Sequence, residues 1–311
     1  MLKWVHKVTT FKELRGVLPV LHTPFDLNED IDPLIVHKEV EWLKSFGADG
    51  VTTGMVSEIL KLSPDERMSL HDIVAEKSVP LGLITVLSAG AESTKQAISY
   101  AKHAESVNAD AVMVNPPLTT SLSESDLYGY YAGIFSATDI PIIVQDASGY
   151  VGRPVSLDLQ VKMFNDFGTR IYFKPEAVPI GPRLSVFLEA TNGKARVLEG
   201  SGGGALIDTH QRGVVGTMPG ADTAWALVAL WKALEAGDME TADRISGPLV
   251  NIISLEFSLD AYLAIEKYFM VKQGIFVNQV VRQPFGFVLD AKTCSRLDRL
   301  FDLLHKSVFG I

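Results

Sequence analysis

Apolar residues in this chain follow two alternating patterns. Short runs such as Ala111-Val112-Met113-Val114 and Pro141-Ile142-Ile143-Val144 are apolar at consecutive positions. Between them lie longer stretches whose apolar positions recur at helical spacing. Consecutive apolar runs suit parallel strands buried on both faces. The pattern predicts strands over 16–22, 50–54, 80–88, 111–116, 141–146, 170–176, 195–200 and 214–218.

The intervening stretches carry helix-start signals. Ser63-Pro64-Asp65-Glu66 combines a cap hydroxyl, a proline at the first helical position and an acid three residues after the cap. Asp32-Pro33 opens a second helix, running towards Phe46-Gly47, and Ser123-Glu124-Ser125-Asp126 a third. Eight strand–helix alternations without a break in composition predict one (β/α)8 TIM barrel over 1–236. An open doubly wound sheet is the structural rival, because alternation does not show closure. Beyond 222 the pattern is almost wholly helical. Residues 222–236 follow the eighth strand, and further helices are predicted near 239–257, 259–274 and 292–309. The segment 237–311 reads as a C-terminal helical extension packed on the barrel, with 275–289 connecting its last two helices.

Composition narrows the function classes. The 311 residues are 47% hydrophobic and 21% charged, an ordinary globular balance. A net charge of -9 with no basic run argues against nucleic acid as a partner. The single cysteine, Cys294, excludes an intrachain disulfide framework and a cysteine-only zinc site. A reducing cytoplasm is the expected location. Residues 1–14 lack the apolar core of a signal peptide. The apolar stretch 247–259 is broken by Asn251, Ser254 and Glu256 and is too short to span a bilayer.

One residue contradicts its surroundings. Lys174 stands within Ile171-Tyr172-Phe173-Lys174-Pro175-Glu176, a run that reads as a buried strand. An ammonium in an apolar setting costs several kcal/mol unless it is paired or neutralised. A lowered pKa relieves that cost and yields a nucleophilic amine. Lys174 is therefore a candidate Schiff-base former. The bland alternative is an edge-strand lysine whose head reaches solvent.

Barrel active sites gather at the C-terminal ends of the strands. The predicted ends carry His22-Thr23-Pro24-Phe25, Gly54-Met55-Val56-Ser57-Glu58, Asn115-Pro116-Pro117-Leu118 and Gln145-Asp146-Ala147-Ser148-Gly149-Tyr150. The later ones carry Lys174 with Glu176, Gly200-Ser201-Gly202-Gly203-Gly204 and Gly216-Thr217-Met218-Pro219-Gly220. The Gly200 loop opens the next helix and reads equally as an anion cradle or as a tight turn. Ser57 is a candidate carboxylate ligand and Glu58 a loop-ordering residue, against a helix-entry turn with a solvated glutamate. His22 and Asp146 raise the idea of a metal or a relay, but no metal-ligand spacing supports the first, and a local hydrogen bond is the plainer role for His22. No Gly-x-Ser-x-Gly elbow supports a serine hydrolase.

Together these motifs, over roughly 16–242, resemble the dihydrodipicolinate synthase / N-acetylneuraminate lyase family of class I Schiff-base lyases and aldolases. Thr23-Pro24-Phe25 is similar to the family's motif after the first strand. Gly54-Met55-Val56-Ser57-Glu58, followed by Leu62-Ser63-Pro64-Asp65-Glu66, is similar to its Gly-Thr-Thr-Gly-Glu and Leu-Ser-x-x-Glu. Lys174 occupies the place of its Schiff-base lysine. Met55 and Val56 replace two threonines of the family's proton relay and carboxylate site. Val144 stands for a relay tyrosine, and Pro117 or Leu118 for a second. The 2-keto-3-deoxy sugar-acid dehydratase branch resembles the chain more closely, through Gly54 to Ser63, Pro116-Pro117 and Val144-Gln145-Asp146-Ala147.

The resemblance implies a cofactor-independent lyase acting on a 2-oxo acid, a dehydratase or aldolase of a 2-keto-3-deoxy sugar acid, needing neither metal nor nicotinamide. It implies Lys174 as nucleophile, with Tyr150, Ser148, Glu176 or a water as proton carrier. Val56, Ser57, Glu58, Gly200 and Met218 are the expected substrate contacts. It also implies a homotetramer. The alternatives are a synthase-like condensation with pyruvate, a non-catalytic 2-oxo-acid-binding barrel, and a phosphate-binding barrel enzyme built on the Gly200 loop.

Overall fold

The computed structural model describes residues 11–149 and 152–310. Eight parallel strands alternate with helices. They are β1 (Gly16–Val17), β2 (Gly50–Thr52), β3 (Ile84–Ser88), β4 (Ala111–Val114), β5 (Ile142–Gln145), β6 (Ile171–Lys174), β7 (Leu198–Glu199) and β8 (Gly216–Thr217). The ladders run β2-β3-β4-β5-β6 and β1-β8-β7. Parallel bridges Val20–Thr52 and Phe173–Val197 join the two groups at both seams, and Val20–Gly220 extends the β1–β8 seam. The sheet is thus closed, and the doubly wound rival is excluded.

The regular strands are shorter than the apolar runs that predict them. Pro19 has no N–H to give to a ladder. Its carbonyl still accepts from Thr52, and the chain remains extended to the bridge at Val20.

The predicted caps form as expected. Ser63 and Glu66 make a reciprocal capping box on α2 (Pro64–Ser78). Asp32 caps α1 (Pro33–Ser45), and Ser123 caps α4 (Glu124–Ala137), which follows α3 (Thr94–Ser106). The barrel helices continue with α5 (Leu157–Phe167), α6 (Ile180–Ala190), α7 (Leu206–Arg212) and α8 (Ala224–Glu235). Then come α9 (Met239–Ile253), α10 (Leu259–Lys272) and α11 (Ala291–Phe309). No helix among the described residues is long and apolar enough to cross a membrane.

Strand alternation sorts the core into two layers. Val112, Val114, Ile142, Val144 and Phe173 pack outward against the helices. Ala111, Met113, Ile143 and Tyr172 pack inward, filling the barrel. Counting on from Tyr172 by two puts Lys174 on the inward side. Helix α10 covers the C-terminal mouth. Leu259, Tyr262 and Leu263 join the barrel-interior cluster. With Glu266 they form an i, i+3, i+4, i+7 stripe aimed into the barrel.

Candidate active site

Lys174 ends β6 and is 3% exposed. Its Nζ donates to Glu176 Oε1 at 2.9 Å. That oxygen also accepts from Gln145 Nε2 at 2.7 Å. Gln145 is the register partner of Lys174 on β5. The Glu176 backbone N–H donates to Asp146 Oδ1, which fixes the carboxylate's starting point. Glu176 Oε2 is buried with no hydrogen-bond partner. The pair is therefore tightly held, with one oxygen still open. The edge-strand reading of Lys174 does not survive this burial.

Lys174 opens onto a small cavity of about 20 Å³ at the mouth of the barrel. Its polar side chains are Lys174, Gln145, Tyr262 and Glu266. Val56 and Met218 belong to its apolar wall. Gly200 lies under the lysine, because a Cβ there would stand 3.0 Å from Lys174 Cγ.

Other sequence-predicted residues are placed differently. The Ser57 hydroxyl donates to Leu21 O and accepts from the Gly54 N–H. It closes the turn Met55–Ser57 and is not brought to the cavity. The N–H groups of Ser57 and Glu58 donate back to Gly54 O and Met55 O. Glu58 orders a loop: Oε1 takes buried Lys267 and Oε2 accepts the Arg282 N–H. Lys267 also donates to Val280 O at 2.7 Å, so the pair fastens the segment after α10 to the second strand's end. Burial lowers the Lys267 pKa, against the opposing charge of Glu58.

On the fifth strand the inward position is Gln145, whereas Val144 packs against the helices. This corrects the sequence placement of the missing tyrosine at Val144, since neighbouring strand residues face opposite sides. The Ser148 hydroxyl donates to Asp146 Oδ1 at 2.9 Å and does not line the cavity. Tyr150 lies outside the described residues. In the Gly200 loop, Ser201 gives its N–H and hydroxyl to Glu199 Oε1, and Gly202 and Gly203 take positive φ. The tight-turn reading accounts for that loop. The Glu199 carboxylate already takes the Ser201 donors at the head of the loop.

Behind the cavity stands a cluster that sequence reading did not assemble. His22 is fully buried between two carboxylates: Nε2 meets Glu266 Oε2 at 3.0 Å, and Nδ1 meets Glu39 Oε1 at 3.2 Å. Glu39 Oε1 also accepts the His22 backbone N–H. Burial works against the charged ring, but Glu266 and Glu39 outweigh it and hold the His22 pKa up at about 10. Burial and the Glu266 charge push Asp222 up to about 7. Burial likewise raises Glu256 and Glu39. His22, Asp222 and Glu266 offer donor atoms within 4.8 Å of one another. As a donor set they could be counted for a cation, but both ring nitrogens of His22 already face carboxylates.

A signal for this cluster was present. Glu39 falls on the apolar stripe Val36, Val40, Leu43 of α1. Glu266 and Lys267 are adjacent charges buried in the otherwise largely apolar α10.

A family model, the dihydrodipicolinate synthetase family, matches residues 13–170. The 4-hydroxy-tetrahydrodipicolinate synthase of Bartonella quintana (strain Toulouse) is 30% identical over 276 residues, 87% of this chain and 92% of that protein. The chain belongs to the dihydrodipicolinate synthetase family. As a member it is a lyase of the class I aldolase type, acting on a small molecule.

Solved structures agree on the fold. A putative dihydrodipicolinate synthetase from Pseudomonas aeruginosa superimposes with a TM-score of 0.87 at 20% identity, covering 94% of this chain and 100% of that one. YagE, a prophage protein of the dihydrodipicolinic acid synthase family from E. coli K12 solved with pyruvate, gives 0.84 at 21% identity, covering 94% and 98%. Membership in the dihydrodipicolinate synthetase family bears out the (β/α)8 reading and the lyase class.

Proposed function

We propose that the protein is a cofactor-independent Schiff-base lyase of 2-oxo acids, acting as a dehydratase of a 2-keto-3-deoxy sugar acid. The observation that carries this reading is the buried, inward-facing Lys174 paired with Glu176 at 2.9 Å on the cavity wall. Glu176 takes a proton from the lysine ammonium. The free amine attacks the substrate ketone carbon, and loss of water gives an iminium. The iminium is an electron sink for a carbanion at C3, reached by removing a C3 proton or by breaking the C3–C4 bond. The substrate carboxylate is received by the Met55 and Val56 N–H groups, since those of Ser57 and Glu58 are engaged in the turn.

Two features favour dehydration over synthase-like condensation. The relay hydroxyls expected of a synthase are replaced by Met55 and Val56, and the inward position on the fifth strand is the amide Gln145. The Pro116-Pro117 and Val144-Gln145-Asp146-Ala147 motifs support the sugar-acid branch. Pyruvate is the simplest 2-oxo acid with which to probe Lys174, and YagE was solved with pyruvate. The protein is proposed to work in the cytoplasm as a homotetramer, in keeping with the resemblance. A panel of 2-keto-3-deoxy sugar acids, followed by NMR, tests the assignment. A dehydrated 2-oxo acid is the expected product. Pyruvate plus an aldehyde makes the enzyme an aldolase, and binding without turnover across the panel defeats the catalytic reading.

A further inference from the structure

We propose that Glu266, carried into the barrel mouth by α10, is the catalytic residue that removes and returns the substrate proton, with His22 and Glu39 as positioning residues behind it. The inference rests on the Schiff-base reading of Lys174 and supplies the proton carrier that reading leaves open.

Three independent features support it. The first is location. Glu266 and Lys174 line one cavity, and Glu266 is the carboxylate in that lining. Its polar companions are Lys174, Gln145 and Tyr262, and Gln145 is an amide that does not titrate near neutrality. Of the described serines singled out near the site, Ser57 is engaged by Leu21 O and Ser148 by Asp146.

The second is support. Glu266 Oε2 is held by His22 Nε2, and His22 is held in turn by Glu39 through both its ring and its backbone N–H. A base backed by an imidazole that is itself oriented by a carboxylate keeps one geometry through the reaction. Taking these groups out of water carries a desolvation penalty that their mutual pairing must offset. Buried ionic groups of this kind are commonly replaced by apolar ones without loss of stability. Titratable groups kept in a cleft at such cost mark places where chemistry is done.

The third is space. A Cβ on Gly220 would fall 2.1 Å from Glu266 Oε1, so the carboxylate enters the barrel mouth across a position that has no side chain. The chain thus clears the path for Glu266 on β8's exit while aiming it from α10.

The step balances as follows. With the ketone carbon joined to Lys174 as an iminium, a C3–H bond breaks and the proton passes to Glu266. Its electron pair forms C2=C3 while the C=N pair withdraws to nitrogen, giving an enamine. For a 4-hydroxy substrate the nitrogen pair then re-forms C2=N, the C2=C3 pair shifts to form C3=C4, and the C4–O bond breaks with its pair leaving on oxygen. The oxygen takes the proton from Glu266 and leaves as water. Glu266 is again a carboxylate, and one water hydrolyses the iminium to release product and amine.

Pyruvate probes this without knowledge of the natural substrate. Wild type in D2O is expected to exchange the C3 protons of pyruvate, read by NMR, and to give a borohydride-trapped adduct at Lys174. Glu266→Gln, with Glu266→Met as a second variant in case one fails to fold, is expected to keep the adduct. Its formation itself shows a folded pocket. Exchange is expected to fall by ~100-fold or more, the usual scale for losing a general base. His22→Gln is expected to lower exchange at saturating pyruvate without moving the half-saturating concentration. A variant that traps normally and exchanges within a few-fold of wild type overturns the role of Glu266. A changed half-saturation with unchanged maximal exchange overturns the positioning role of His22. No adduct in wild type overturns the Schiff-base reading itself, and the inference with it.

Discussion

The side chain of Lys174 runs across the Cα of Gly200. A Cβ at that position would stand 3.0 Å from Lys174 Cγ, 3.1 Å from Glu176 Cγ and 3.2 Å from Lys174 Cε. The lysine and its carboxylate therefore share one missing side chain on the neighbouring strand's end. Gly200→Ala must push both by a few tenths of an ångström. Misplacement of reacting groups costs up to ~100-fold for a shift near 1 Å. We expect adduct formation with pyruvate to slow by about 10-fold or more, with thermal stability little changed. Stopped-flow trapping beside a melting curve checks this, and an unchanged rate contradicts the tight packing of Lys174.

The Lys267–Glu58 pair fastens the second strand's end to α10 and to the chain near Val280 and Arg282. Both residues are buried. Removing one partner leaves the other as an uncompensated buried charge, a loss of about 3–5 kcal/mol. Lys267→Met should show that loss in urea unfolding, and Lys267→Met with Glu58→Gln should recover part of it. A double variant as unstable as the sum of the singles counts against direct pairing.

His22 gives the fold a specific pH dependence. Its pKa rises from 6.5 in the ordinary state to about 10 in the fold. The folded state thus holds more protons than the unfolded one between those values. Stability from this group is fully present below about pH 6.5 and is lost as pH rises towards 10. Glu39 on α1, Glu266 on α10, and Asp222 and Glu256 in the flanking loops all bear on the ring. Lys267, whose pKa is lowered, opposes the trend near the top of the window. The difference between wild type and His22→Asn isolates the histidine. That difference is expected to shrink by a few kcal/mol from pH 6.5 to 10. Equal slopes for the two proteins contradict a charged His22.

The barrel was legible because its strands are buried on both faces, so each wrote itself as an apolar run between capped helices. The strand ends were not, since residues such as His22 and Glu176 belong to loops that keep an extended chain without a ladder. Lys174 was legible as a charge inside an apolar run. Ser57 looked like a ligand because sequence does not say which way a hydroxyl points; here it bonds Leu21 O. Sequence places the relay position at Val144 and not at Gln145 because the inward face of β5 becomes visible only in register with Lys174. The Glu39–His22–Glu266 array was missed because its ends lie on α1 and α10, far apart in the chain. Only their placement on apolar helix faces hinted that they were buried.

The central claim is that Lys174 forms an imine with a 2-oxo acid. Borohydride reduction in the presence of pyruvate, read by intact mass and peptide mapping, tests it directly. The expected result is one reduced pyruvate per chain, on the peptide containing Lys174, and none in Lys174→Arg. A protein that binds pyruvate but gains no mass, or gains it on another lysine, contradicts the claim.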